Sequence, residues 1–223
     1  MKSDGEIQKD VMAQLNWEPV LDAAQIGVSV KKGVVTLTGI VDSYTKKITA
    51  ERAAKKVSGV KAVAEEIQVG PSSIYNRTDT EIAEAVLNVL KWHTAVKEDK
   101  IKIKVEKGVV TLDGEVEWEY QKSAAKQTIE NLTGIRMIYN FISVKPRIVA
   151  SDLKSRIKAA LQRSALVDAN KVEVEIAGGK VILSGAVHSI TEKEDAESAA
   201  WMAPGVSSVE NRITIKRKPE YVF

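Results

Sequence analysis

Apolar and polar positions follow two periods along this chain, and the order of the two periods recurs three times. Ile7, Val11 and Leu15 stand four apart, as do Ile82, Val86 and Leu90, and as do Leu153, Ile157 and Leu161. That spacing lays one apolar stripe along a helix. Asp79 and Ser151 stand where helix N-caps are expected. A period of two comes next. Ile101, Ile103 and Val105 fall on one side and Lys102, Lys104 and Glu106 on the other, matched by Ile26, Val28, Val30 and by Val172, Val174, Ile176. One apolar and one polar face predict a half-buried strand.

Lys32-Gly33, Lys107-Gly108 and Gly178-Gly179 follow as tight turns that need a residue tolerant of positive φ. A second strand then turns Val35 and Leu37, Val110 and Leu112, or Val181 and Leu183 inward. Gly39, Gly114 and Gly185 are expected to end it, at a bulge or at the close approach of a helix. A second helix carries small residues: Ala50, Ala53 and Ala54; Ala124 and Ala125; Ala196, Ala199 and Ala200. Gly59, Gly134 and Gly205 stop it. A third strand closes each unit with Ile67/Val69, Ile142/Val144 and Ile213/Ile215 inward.

All these groups share one register, offset by 75 residues from the first copy to the second and by 71 from the second to the third. The copies carry no insertion or deletion relative to one another; only the linkers differ. The fold class is therefore α+β: three tandem αββαβ modules, each a three-stranded mixed sheet with two helices on one face. The second helix is a crossover, so strands two and three should be parallel. The modules span 1–70, 78–145 and 151–216, with linkers 71–77 and 146–150 and a basic-aromatic tail at 217–223. Each unit is about 65 residues, near the lower size for independent folding.

Composition narrows the chemistry. Thirty-three basic residues against 30 acidic ones leave a net charge of only +3, so no global field favours nucleic acid. Cysteine is absent, which removes disulfides, thiolate zinc sites and a cysteine nucleophile. Met1–Glu6 lacks the apolar core of a signal peptide, and no stretch approaches the roughly 20 apolar residues of a membrane span. The chain as it stands is expected to be soluble and cytoplasmic, or periplasmic if a leader has been removed.

The order helix, alternating strand, Gly-Val-Val-Thr-Leu-x-Gly, alanine-bearing helix, Gly-Val-x-x-Val and a final Ile-x-Val strand resembles the BON domain, three times over. Gly33, Val35, Leu37, Gly39, Ala50, Ala53, Gly59, Val60, Val63, Ile67 and Val69 carry the pattern in the first copy. Asn140 and Asn211 supply the asparagine often seen before the last strand; the first copy reads Ala62-Val63-Ala64 there. The resemblance implies a bacterial protein, often periplasmic, linked to osmotic or envelope stress and proposed to bind phospholipid. The matching residues are turn glycines (Gly33, Gly39, Gly59, Gly108, Gly114, Gly134, Gly179, Gly185, Gly205), core aliphatics and close-packing alanines. None carries a reaction.

No enzymatic site, cofactor or metal is expected. His93 and His188 occupy non-equivalent positions without a second ligand at metal spacing. Two features remain as candidate binding surfaces. Trp17 and Trp92 are equivalent, with Arg163 in the third copy. They read either as covers over the end of each core or as aromatic anchors at a lipid or partner surface. The second helices differ in charge. Residues 43–57 hold Lys46, Lys47, Arg52, Lys55 and Lys56 against Glu51; residues 118–132 balance; residues 189–203 hold Lys193 against Glu192, Glu194, Asp195 and Glu197. The basic helix of the first copy is expected to meet the acidic helix of the third, within the chain or between chains, or else an anionic membrane. The function expected is a non-enzymatic, multi-module binding protein at a phospholipid surface, with avidity from repetition. The alternatives are a protein scaffold or homo-oligomer and, behind these, a small-ligand or ion sensor between modules.

Overall fold

The computed structural model describes residues 2–70, 77–93, 100–146, 152–164 and 168–216. Ser151, most of both linkers and the tail at 217–223 lie outside the described residues.

Module one runs α1 (Asp4–Trp17), β1 (Ile26–Lys31), β2 (Val34–Val41), α2 (Tyr44–Lys55) and β3 (Ala62–Val69). Module two runs α3 (Asp79–Trp92), β4 (Ile101–Glu106), β5 (Val109–Val116), α4 (Glu119–Ile129), β6 (Met137–Asn140) and β7 (Ser143–Val144). Module three repeats this with α5 (Leu153–Arg163), β8 (Val172–Ala177), β9 (Lys180–Val187), α6 (Ile190–Trp201), β10 (Ser208–Asn211) and β11 (Thr214–Ile215). The second strand is central in every sheet. The first two strands pair antiparallel, with Val28 opposite Leu37, Ile103 opposite Leu112 and Val174 opposite Leu183. In modules two and three the final strands pair parallel to the central one, as a crossover helix requires.

The three helix stripes are buried, as are Val35, Leu37, Val110, Leu112, Val181 and Leu183 opposite them. Ala50, Ala53, Ala54, Ala125, Ala196 and Ala200 are buried on the second helices, where a small side chain lets the helix lie close to the sheet. Each fully buried aliphatic contributes about 1.5–3 kcal/mol.

Four local features differ from the sequence reading. The N-cap of α3 is Thr78, not Asp79. Its hydroxyl accepts from the Glu81 N–H while Glu81 returns a bond to the Thr78 N–H, a capping box that Ser3 and Glu6 repeat at α1. Asp79 is freed for another task. Its two carboxylate oxygens accept from the Lys107 and Gly108 N–H groups at 2.7 and 2.9 Å, and Asp4 holds Lys32 and Gly33 in the same way. The start of the first helix thus pins the hairpin turn. That turn has Lys32 and Gly33, or Lys107 and Gly108, both at positive φ, the signature of a type I′ turn; in module three only Gly178 is positive.

Gly39, Gly114 and Gly185 do not end the second strand, which runs two residues further. What approaches them is not the second helix but the end of the short 3-10 turn that leads into the first strand, Ala23–Gln25 in module one and Ala169–Lys171 in module three. A Cβ at these sites would fall on the carbonyl oxygens of Gln25, Lys100 and Lys171, and all three glycines have φ between +126° and +141°. Finally, the third strand is continuous only in module one. In modules two and three the Asn140 and Asn211 side chains accept from the N–H two residues on, at 3.2 and 3.1 Å. They also donate to the carbonyls of Lys122 and Lys193, at 2.9 and 3.0 Å. Each asparagine takes over a segment of ladder and ties it to the second helix, splitting the strand in two.

The chain divides into two compact units: most of module one groups with module three, and Ile40–Lys47 with the residues from Gln68 groups with module two. Each unit contains the same joint. In the first, the Thr191 hydroxyl of α6 donates to the Lys55 carbonyl at the end of α2. In the second, the Thr45 hydroxyl of α2 lies 3.2 Å from the Glu130 carbonyl just past α4. Thr45 and Thr191 are equivalent positions, as are Lys55 and Glu130. Each hydroxyl satisfies a carbonyl that a helix end leaves without an intrahelical donor. The expected meeting of basic and acidic helices also occurs in the first unit. The Lys55 ammonium bonds Glu194 at 2.8 Å and Glu51 at 2.9 Å. Burial disfavours its charge, but the bonds to Glu194 and Glu51 outweigh that and raise its pKa above the ordinary lysine value. On the acidic helix, burial and the neighbouring Glu194 and Glu192 push the Asp195 carboxyl up.

Two outcomes test this description. Gly114→Ala should destabilise module two by on the order of 3 kcal/mol through strain at a positive φ. The loss is read as a lower urea midpoint and faster amide exchange in β5. A cycle of Lys55→Met and Glu194→Gln should show a coupling of about 0.5–1 kcal/mol at neutral pH. Because the folded pKa of Lys55 is raised, the lysine side of this coupling is intact from neutral pH up to about pH 10.4 and is lost as pH rises through the folded value.

Candidate functional site

The helix stripe that builds each core also decides what the helix leaves outside. Leu15 and Leu90 are the last inward residues of α1 and α3. Two residues on, about 200° around the axis, the chain points away from the core. Trp17 and Trp92 stand there as the final helical residues, and they are 82% and 84% exposed. The reading of these tryptophans as covers over the core is therefore overturned. Met12 and Leu87, one residue past the buried Val11 and Val86, are also exposed. They too are equivalent to one another, a signal legible from the repeat but missed. In module three the two positions are Lys158 and Arg163, both exposed. Modules one and two thus present an aliphatic and an indole to solvent where module three presents two cations.

The basic residues of α2 do not form an open cationic face. Lys46 bonds Asp42 at 2.7 Å and thereby holds that carboxyl below its usual range. Lys55 is shared between Glu51 and Glu194. Lys56 lies 3.3 Å from Glu18, while Arg52 is exposed. Lys47 is only 6% exposed. Its equivalents are Lys122 and Lys193, and the Lys193 ammonium donates to the Ile213 carbonyl at 2.8 Å. A lysine repeated in all three copies reads as a structural residue rather than a docking one.

His93 is the C-cap of α3, and His188 has its Nδ1 3.0 Å from the Lys216 carbonyl. One further aromatic group was not anticipated. Tyr139 and Phe141 stack with ring centroids 6.0 Å apart and 9° between planes, both exposed on the open face of the module-two sheet. The equivalent pairs are Ala64/Glu66 and Glu210/Arg212. Lys180 and Arg212 hold the Glu210 carboxyl down to about 2.

The three copies match a known domain pattern. The BON domain pattern matches residues 3–71, 78–146 and 150–217. Osmotically-inducible protein Y of Escherichia coli (strain K12) is 32% identical over 146 residues, which is 62% of this chain and 73% of that protein. An uncharacterized protein in the gshII 5' region of Anaplasma centrale is 28% identical over 125 residues, covering 55% of this chain and 83% of that one. Among solved structures, CdsD, a structural protein of the type III secretion system of Chlamydia trachomatis, aligns over 94% of this chain and 92% of its own, with 16% identity and a TM-score of 0.27. With its repeated glycines, alanines and aliphatics serving the same structural roles in each copy, the chain belongs to the BON domain family and carries that domain three times.

Proposed function

We propose that this chain is a non-enzymatic protein that binds phospholipid surfaces through Trp17 and Trp92, with Met12 and Leu87 beside them. The observation that carries this reading is the exposure of two equivalent indoles at the ends of α1 and α3, in modules whose helix-stripe residues are almost completely buried. An indole has a large apolar body and one N–H, which suits it to the boundary between headgroups and acyl chains. Two such anchors on one chain supply avidity. No helix of the described residues is long and apolar enough to cross a membrane, so the binding proposed is peripheral.

The residues common to the three copies are turn glycines, core aliphatics and close-packing alanines, which supports a binding role over a catalytic one. Similarity to an osmotically inducible protein supports a role under osmotic stress. The ion pairs of Lys46, Lys55 and Lys56 turn the weight from a polybasic patch to the indoles. A second reading, self-association or a partner protein through the same indoles, rests on the same exposure.

Co-sedimentation with phosphatidylcholine and phosphatidylglycerol vesicles separates the two. Trp17→Ala/Trp92→Ala should weaken vesicle binding at least tenfold and leave thermal stability unchanged, since both side chains are exposed. The indole contribution should persist at high salt. Vesicle binding indifferent to the double substitution contradicts the proposal. Concentration-dependent mass without lipid, lost in the double variant, favours self-association.

A further inference from the structure

The second compact unit contains a cleft of about 620 Å³ beside the module-two hairpin turn. That volume lies within the range of small-molecule sites. Three cations line it, from three different segments: Arg77 ahead of α3, Lys107 in the turn and Arg136 ahead of β6. Ser43, Thr45 and Thr133 add hydroxyls.

The charges around the cleft are unevenly satisfied. Asp79 also lines it, but both its oxygens accept from the turn N–H groups of Lys107 and Gly108. Asp42 is bonded to Lys46 at 2.7 Å. Glu106, next to Lys107, is paired with Lys104 at 2.9 Å. Arg77 has one long contact, 3.5 Å to Glu81, whose other oxygen serves the capping box. The Lys107 ammonium and the Arg136 guanidinium have no ion-pair partner among the described residues. The hydrogen-bonding capacity of the cleft carboxylates is thus taken by groups of the protein; Asp79 keeps its negative charge, and with Lys107 and Arg136 unpaired among the described residues the balance in the cleft is positive.

The backbone holds these cations in place. Lys107 sits at φ +51°, fixed by the type I′ turn and by Asp79 behind it. The Arg136 N–H donates to the Gly108 carbonyl at 2.9 Å, and its Cγ lies close over the Gly108 α-carbon. Module one carries a related set, Lys2, Lys32 and Lys61, but there Lys2 is paired with Asp10 at 2.6 Å. Module three has Ile148, Gly178 and Ser207 at the same positions.

From this arrangement we infer that the cleft binds a phosphate ester, with Lys107, Arg136 and Arg77 on the phosphoryl oxygens and the Thr133 hydroxyl on the remainder, the Thr45 and Ser43 hydroxyls being taken by the Glu130 carbonyl and by the Lys46 N–H. A tetrahedral dianion or diester suits such a site because guanidinium and ammonium donors make short, charge-assisted bonds to it. The proposal rests on the cleft alone and is independent of the tryptophans. The source of the ester is either a soluble organophosphate or a lipid headgroup.

The test is an NMR titration of the full chain with inorganic phosphate and with glycerol 3-phosphate, at ionic strength held constant with chloride. Saturable shifts at the amides of Gly108, Thr133 and Gly134 are expected. Lys107→Asn/Arg136→Gln should weaken them at least tenfold. Asn tolerates the positive φ at the turn and Gln keeps the Cγ packing, so the hairpin is preserved. Arg77→Gln, on a separate segment, should weaken them as well. Lys32→Asn/Lys61→Gln in module one should leave them unchanged. Phosphatidylglycerol vesicles that compete with phosphate identify a headgroup as the source, and vesicles that do not compete identify a soluble ester. Shifts that fail to saturate, that survive the module-two double substitution, or that appear with vesicles but with neither soluble probe overturn the inference.

Discussion

Each module depends on the close packing of one glycine against one carbonyl. At Gly39, Gly114 and Gly185 the second strand passes so near the entry to the first that no side chain can stand between them. This contact sets the antiparallel register, and the register decides which residues face the helices. With it in place, Val35 and Leu37 and their counterparts meet the helix stripe, and the crossover helix can lie close on its alanines. In modules one and two the aspartate clamp from the helix start to the turn fixes the opposite end of the same hairpin. In modules one and two the hairpin is therefore held at one end by a backbone-to-backbone approach and at the other by a carboxylate on its turn N–H groups, and the apolar core fills the space between.

A scaffold fixed in this way leaves the outward positions free to differ. The three modules agree in their glycines, alanines and inward aliphatics. They disagree at the end of the first helix, on the open face of the sheet and around the hairpin turn. Trp17 and Trp92 against Arg163, Tyr139 and Phe141 against Glu210 and Arg212, and Lys107 and Arg136 against Gly178 and Ser207 are all differences of this kind. The shared residues serve the fold of each copy, and in the function proposed above the divergent exposed sites do the binding. The joint made by Thr45 and Thr191 also follows this division, since it uses equivalent positions to dock a second helix against the end of another.

Much of the fold was legible because periodicity is a local property. A stripe such as Ile82, Val86, Leu90 has few ways to be buried, and a strict alternation such as Ile101–Glu106 has one inward face. Charge suggested that the basic helix of module one meets the acidic helix of module three, but not whether within one chain or that Lys55 and Glu194 make the contact. Other features depend on groups distant in sequence. Nothing near Asp79 shows that its carboxylate caps a turn 28 residues away rather than its own helix. Asn140 was visible as a recurring residue, but its effect on the strand depends on the Lys122 carbonyl of the facing helix. Lys47 looked like part of a basic surface when counted with its neighbours. Its recurrence as Lys122 and Lys193 pointed the other way, and its burial agrees with the recurrence. The cleft was not legible at all, because it joins residues 42–45 and 69–70 to residues 131–136.

The central claim is that the outward indoles at the ends of α1 and α3 enter a lipid surface. The most direct measurement is selectively excited tryptophan fluorescence of a Trp118→Phe/Trp201→Phe protein, in which Trp17 and Trp92 are the remaining two of the four tryptophans, mixed with phosphatidylglycerol vesicles carrying brominated acyl chains. The account predicts a blue shift and quenching that saturate with lipid. Emission unchanged in wavelength and intensity, with the protein otherwise folded, would contradict it.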